Sequence, residues 1–366
     1  MISRLVQERG PMTVAAFMDL ALYDPALGYY ARAAQRSGRA GDFFTSVDVG
    51  PLFGELLEIQ IAEMLQAGAA QDLVECGAGN GRLSADILRA MRLRDPSVYD
   101  SLRLHLVEAS AEARAAQRRT LGELGDRLTS SGASLPETFE GVLLANELID
   151  AMPVHQVVMR QDGLREVYVV AGSGAAVDTL ATIEGPVSTP RLEAYLDALG
   201  IRLEPGWRAE INLRAVDWIR DAARRLRRGF IVLIDYGHDA RVLYSASHSA
   251  GTLTTFSGHR SAGAESASPP WLRNAGRQDV TAHVDFTSVR SAAEDAGMQT
   301  IGFLDQTYFL LGLLPSARNP EAALSDPQLK TLLLPGGLGS THKVLVLGRN
   351  IGAPKLLGCS YRLRVT

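Results

Sequence analysis

Three glycines at alternate positions, Gly77, Gly79 and Gly81, separate a short apolar run from a helix-forming run. The apolar run is Leu73-Val74 and stops at Glu75, and the helix-forming run spans Arg82 to Arg94. This order predicts a strand, a tight turn and a helix. Glycine is required where φ is positive or where a ligand lies against the backbone. The helix N-terminus adds free N–H groups and the positive end of a dipole. The spacing is G-x-G-x-G, not the G-x-G-x-x-G of dinucleotide turns. It predicts a nucleotide-like ligand at the carboxyl end of a strand. A glycine turn that only serves packing is the alternative.

The rest of the chain places this turn in a doubly wound α/β sheet. Strands are expected at 72–76, 102–108, 140–145, 230–235, 298–304 and 342–349, with helices at 82–94 and 111–124. Such alternation is the mark of a parallel sheet. Residues 1–70 read as a helical cap, with helices at Thr13–Leu22 and Pro51–Gln66 around a loop from Gly28 to Ser46. The main domain spans 71–350, and 151–229 read as an insertion into it. The insertion holds a hairpin, Val154–Met159 and Glu166–Ala171, around the turn Gln161-Asp-Gly163. An Asp-Gly pair between apolar runs is a strong hairpin signal. Helices are expected at Leu192–Leu199 and Ala209–Arg228. Residues 245–280, rich in Gly, Ser, Ala and Pro, are long for a plain connection. Residues 351–366 read as a tail.

Composition removes several classes of function. The hydrophobic fraction of 46% supports a full core, and a net charge of −4 provides no basic field for nucleic acid or an anionic membrane. Cys76 and Cys359 make neither a disulfide framework nor a metal cluster. No metal-ligand spacing and no Ser-His-Asp order stands out, so no metal is expected. No run of about 18 apolar residues exists, so no membrane insertion is expected. Arg4, Glu8, Arg9 and Asp19 interrupt the apolar residues of the first twenty, which leaves no secretory signal and points to the cytoplasm.

Two further motifs carry chemistry. The second expected strand ends at Glu108, 27 residues after Gly81. In a doubly wound sheet a carboxylate there can accept from both hydroxyls of a ribose; a helix-capping acid is the alternative, and Ser110 could be the cap instead. The third is Leu143-Leu-Ala-Asn146-Glu147-Leu-Ile-Asp150-Ala-Met-Pro153. It runs a hydrophobic strand into Asn146 and Glu147, with Asp150 three residues on. Two carboxylates on one turn of chain can face one cation, and a guanidinium is a planar fork that carboxylates bind bidentately. Local capping by Asp150 and a solvated Glu147 is the bland reading. The loop motifs Gly28-Tyr-Tyr30, Gly41-Asp42-Phe-Phe-Thr-Ser46 and Phe53-Gly54-Glu55 fit either a lid over the ligand or core packing. In Asp279-Val-Thr-Ala-His283-Val-Asp285-Phe286, the His and Asp residues fit structural hydrogen bonds.

Together these blocks, with Ile234-Asp-Tyr-Gly237 and Gln306-x-x-Phe309-Leu-x-Gly312, resemble the MidA-like family over nearly the whole chain. The resemblance implies a class I S-adenosylmethionine (SAM) methyltransferase fold, Rossmann-like, with an inserted helix and hairpin region. It implies SAM as cofactor, near Glu75, Gly77, Gly79, Gly81, Glu108 and Asp42. It places Tyr30, Asp48 and His283 at the substrate and Asn146, Glu147 and Asp150 at the reacting centre. The family's mitochondrial member is a protein arginine methyltransferase acting on a complex I subunit, so a protein acceptor of that kind is expected; a homodimer stays open. A small-molecule methyltransferase and a non-catalytic assembly factor are the rival readings. The chain departs from the family at Val47 and Asp48, where Pro-Glu is usual, at Ala78 and Asn80, where Pro and Arg are usual, and at Cys76, where Leu is usual.

Overall fold

The alternating apolar runs pair into one sheet. In the computed structural model, which describes residues 2–33, 45–172, 179–257, 260–262, 269–334 and 338–361, seven strands run along its main path and the two-residue strand Val284–Asp285 pairs off that path as an eighth. The seven are β1 (Asp72–Cys76), β2 (Arg103–Val107), β3 (Leu128–Gly132), β4 (Phe139–Asn146), β5 (Leu226–His238), β6 (Gln299–Asp305) and β7 (His342–Arg349). Their order across the sheet is 3-2-1-4-5-7-6. All run parallel except β7, which is antiparallel to both β5 and β6. Chain order reverses between β1 and β4, which is where a doubly wound sheet binds its ligand. Val142, Leu143, Leu144 and Ala145 of β4 and Phe230 to Ile234 of β5 are buried, as expected for parallel strands covered on both faces.

The chain forms two compact units. The sheet unit comprises Phe44–Leu148, Ile219–Tyr236 and Arg290–Thr366. The insert unit comprises Met1–Phe43, Ile149–Trp218 and Gly237–Val289. In the sheet unit, helix α1 (Pro51–Gly68) packs beside α2 (Arg82–Arg94), and both contribute to the core with Leu56, Leu57, Ile87, Leu88, Val142 and Leu144. The glycine of Phe53-Gly54-Glu55 is spent on this packing. A Cβ at Gly54 would lie 2.6 Å from Asp86 Cβ on α2. Helix α3 (Ala111–Leu121) follows β2 and is capped by Ser110, whose Oγ accepts from Ala113 N–H.

In the insert unit, Met12–Thr13, Gly163–Ala171, His155–Arg160 and Arg208–Ile211 pair in that order, and Leu180–Gly185 joins Gly163–Ala171. Every pairing is antiparallel. Helix Val14–Tyr23 places Phe17, Met18 and Leu22 in one core with Val158, Val167, Val169 and Trp271. Thr13 caps that helix by accepting from Ala16 N–H, as its sequence position predicts.

Three expectations need correction, and one strand lies outside all of them. Residues 1–70 do not form one cap: residues 2–33 belong to the insert unit, and α1 belongs to the sheet unit because it is buried along most of its length. Residues 351–361 are not a loose tail. Leu356 and Cys359 enter the sheet unit's core, and Gly358 N–H donates to Gln60 Oε1 on α1. Ala209–Ile211 is a strand and not helix, and the helix spans Leu213–Arg225, beginning where Asn212 Oδ1 accepts from Ala215 N–H. Strand β3 escapes a hydrophobic reading because Leu128-Thr-Ser-Ser-Gly132 is a mostly exposed edge strand with no apolar alternation.

Candidate active site

The glycine turn is fastened by its own chain at almost every polar group. Gly77 and Ala78 N–H both donate to Val107 C=O at the end of β2, at 2.9 and 3.2 Å. Gly77, Gly79 and Gly81 have φ of +71°, +51° and +84°, in the left-handed region that disfavours side chains. Gly79 N–H donates to Glu108 Oε2 at 2.9 Å, and Gly79 C=O accepts from Gln117 Nε2 at 2.9 Å. Gln117, fully buried on α3, in turn accepts from Ser131 Oγ on β3. A Cβ added at Gly79 would find no described atom within 4 Å. The backbone here is bent at a conformational cost, yet one side of it is open.

Two acids flank the turn and do different work. Glu108 follows β2, and its second oxygen accepts from Ser110 N–H at 2.7 Å. Ser110 is the helix cap, so the capping alternative for Glu108 falls away. Each carboxylate oxygen keeps a further lone pair for a ligand hydroxyl. Glu75 is buried and accepts from Ser84 Oγ on α2. Burial pushes its carboxyl up to about 7. Its side chain ties strand to helix behind the turn.

The end of β4 is built in the opposite sense. Glu147 has φ +49°, strained for a residue with a side chain, and is held by Glu147 N–H donating to Ile234 C=O on β5. Leu148 N–H donates to Asp235 Oδ2, also on β5. Glu147 Oε1 accepts from Ser46 N–H at 2.9 Å and Asn146 Nδ2 at 3.3 Å, and His342 Nε2 lies 3.7 Å away. Burial alone would lower the His342 pKa, but the negative charges of Glu147 and Asp235 outweigh it and raise it. Glu147's side chain is 5% exposed, and its Oε2, like Asn146 Oδ1, is buried with no hydrogen-bond partner among the described residues. Leu148 Cδ1 would stand 3.1 Å from a Cβ on Gly77, so the two structures adjoin.

The other expected site residues fall elsewhere. Asp48 does not present its carboxylate to a substrate. It accepts from Thr45 N–H and Oγ1 in a helix cap and pairs with Arg82 at 3.3 Å, because it sits in the first turn of helix Ser46–Val49. Asp150, Tyr30 and His283 belong to the insert unit, so Glu147 and Asp150 lie on opposite sides of the unit boundary. Asp150 is buried, and its C=O accepts from Ala282 N–H. Tyr30 OH donates to Asp279 at 3.0 Å. Burial and the negative charges of Asp279 and Asp150 push its phenol well above the usual range. His283 packs against His238 and His248, and burial together with these neighbours lowers it to about 4. Asp42 lies outside the described residues. Gln117, Ser46 and His342 escape sequence reasoning as supports of the site, because each acts on a residue far away in the chain.

Known proteins share this chain's sequence pattern and fold. The family model described as "Putative S-adenosyl-L-methionine-dependent methyltransferase" matches residues 56–304. A mouse protein named "Protein arginine methyltransferase NDUFAF7, mitochondrial" is 31% identical over 373 residues, covering 94% of this chain and 78% of its own length. The human protein of that name is 30% identical, covering 90% and 77%. A crystal structure from Burkholderia thailandensis bound to S-adenosyl-homocysteine superposes with a TM-score of 0.87 at 29% identity, over 99% of this chain and 95% of its own. The open side of Gly79 and the acceptor oxygens of Glu108 fit a cofactor that carries ribose hydroxyls. The chain belongs to this family: it is an S-adenosyl-L-methionine-dependent methyltransferase.

Proposed function

We propose that the chain methylates an arginine side chain of a protein, and that Glu147 holds the acceptor guanidinium. The observation that carries this reading is the buried Glu147 Oε2, an acceptor with no hydrogen-bond partner among the described residues, at the end of β4 beside the glycine turn. The relatives' printed names, protein arginine methyltransferase, support the acceptor class. Family resemblance extends it to a subunit of respiratory complex I.

Bound SAM supplies a methyl group on a positively charged sulfur. The acceptor nitrogen would bond to that carbon as the carbon–sulfur bond breaks, the sulfur leaving as a neutral thioether and the nitrogen's proton passing to water. The protein's contribution is placement and charge. Glu108 would accept from the ribose hydroxyls, and it fixes the turn by accepting from Gly79 N–H. An in-line displacement gains most from such orientation. A guanidinium is protonated at neutral pH and is a poor nucleophile in that state. Glu147 Oε2 accepts from one of its N–H groups, aligns the opposite nitrogen with the methyl carbon and stabilises the positive charge throughout. Asn146 Oδ1 offers a second acceptor.

The test supplies the purified protein with methyl-labelled SAM and a protein extract from cells that lack it. Mass spectrometry then locates the label. Methylarginine in one or a few proteins is the expected result. Label on other residues or only on small molecules would overturn the arginine reading. SAM binding with no transfer to any acceptor would favour the non-catalytic assembly role.

A further inference from the structure

We propose that His238, His248 and His283 of the insert unit form a binding site for a divalent transition-metal ion, with zinc preferred. The three come from a strand end, a nearby turn and a later loop. His238 is the last residue of β5. His283 directly precedes the short strand Val284–Asp285, which pairs in parallel with the end of β5. His248 closes the 3-10 turn Ala246–His248. One ring nitrogen from each lies within 4.8 Å of the other two, and the ring centroids are 5.0, 5.4 and 5.9 Å apart. Among the described residues this is the one group of three such ligand side chains brought so close.

The His248 ring also has the right chemistry. His248 Nδ1 lies 3.0 Å from Val242 C=O. A carbonyl only accepts, so Nδ1 carries the proton and Nε2 carries the lone pair. Metal-bound histidines commonly have this arrangement, with the second nitrogen donating to a carbonyl that fixes the tautomer. Zinc bonds to imidazole at about 2.0–2.1 Å, which sets tetrahedral ligand atoms about 3.3 Å apart. The nitrogens must therefore draw in by at most about 1.5 Å from their present spacing. His238 and His283 stand on paired strands, while the turn bearing His248 is largely exposed at Ala246 and Ser247 and can supply the movement. Three imidazoles select zinc, copper, nickel or cobalt over the oxygen-seeking magnesium and calcium. Three protein ligands also leave a fourth position for water or another oxygen ligand.

The test uses the full chain, stripped with a chelator and dialysed. Zinc alone is titrated by calorimetry, with magnesium as the control, and bound metal is counted by mass spectrometry. One zinc per chain and no bound magnesium are expected. Cobalt in place of zinc should give the visible absorption of a tetrahedral site. His248→Ala should weaken zinc binding by about 100-fold or more, at the upper edge of what losing even an outer partner costs. It should leave the melting temperature of the metal-free protein unchanged. His283→Gln should weaken zinc binding in the same way, and the wild-type cobalt spectrum decides the matter if either variant fails to fold. No zinc bound, no tetrahedral cobalt spectrum, or equal zinc affinity in folded His248→Ala and wild type would each overturn the proposal.

Discussion

The glycine turn and the end of β4 adjoin on neighbouring strands, yet one is saturated and the other is not. At the turn, Gly77, Ala78 and Gly79 N–H and the Gly79 carbonyl all have partners in the chain. At the end of β4, one oxygen of Glu147 takes every donor, and Oε2 and Asn146 Oδ1 are left without one among the described residues. Both places hold a left-handed backbone, which glycine adopts freely at Gly79 and which strains Glu147. Buried polar groups are usually satisfied, so an unmatched acceptor in a rigid frame calls for a partner from outside the described residues, a ligand or a water. On the proposed function, the turn supplies shape and the strand end supplies charge. A cofactor needs a preformed cradle; a cationic acceptor needs a buried negative charge.

The largest expected effect breaks the cradle. Gly79→Val puts a β-branched side chain into the open side of the turn at φ +51°. Calorimetry should find SAM binding lost, while circular dichroism shows the fold retained. Normal binding by a folded variant would refute close approach of the cofactor to the backbone. A smaller loss follows from Glu108→Ala, which removes the acceptor for Gly79 N–H and the proposed acceptor for the ribose. Hydrogen bonds to a charged group are worth about 1.5–3 kcal/mol, so SAM affinity should fall by about 10- to 100-fold. Unchanged affinity would remove Glu108 from the site.

The smallest effect concerns the support behind the turn. The Glu75 carboxyl is raised by burial to about 7, against 4.5 in an unfolded chain. Between those values the folded protein holds more protons, so raising the pH lowers stability across that window. Glu75→Gln cannot titrate, and its stability should lack this fall. Urea unfolding at about pH 5 and about pH 7.5 should show the variant gaining on wild type at the higher pH. Parallel curves would mean that Glu75 is ionised in the fold.

How much of this was legible depends on distance along the chain. The turn, strands β1, β4, β5 and β7, and the acids Glu108 and Glu147 are written in local patterns, because apolar runs and glycine spacing act over a few residues. Helix Arg82–Arg94 appears within the bounds that its sequence predicts. Gln117 reads as an ordinary polar residue of α3, and only the folded sheet brings it to Gly79. His342 opens the last strand, 195 residues from the Glu147 that it flanks. Asp48 shows the opposite failure: a motif position suggested a substrate, and local capping claimed the side chain. The histidine cluster has no signal in spacing at all, since strand pairing assembles it.

The division between cradle and charge is tested most directly on Glu147→Gln, which keeps the shape and removes the charge. SAM affinity and the single-turnover rate of arginine methylation are measured on the same preparation. The account predicts SAM affinity close to wild type and a rate lower by about 100-fold or more, the scale of losing one preorganised electrostatic group. Lost SAM affinity with a normal rate at saturating SAM would move Glu147 to the cofactor, and no change in either would make it structural; both results contradict the account.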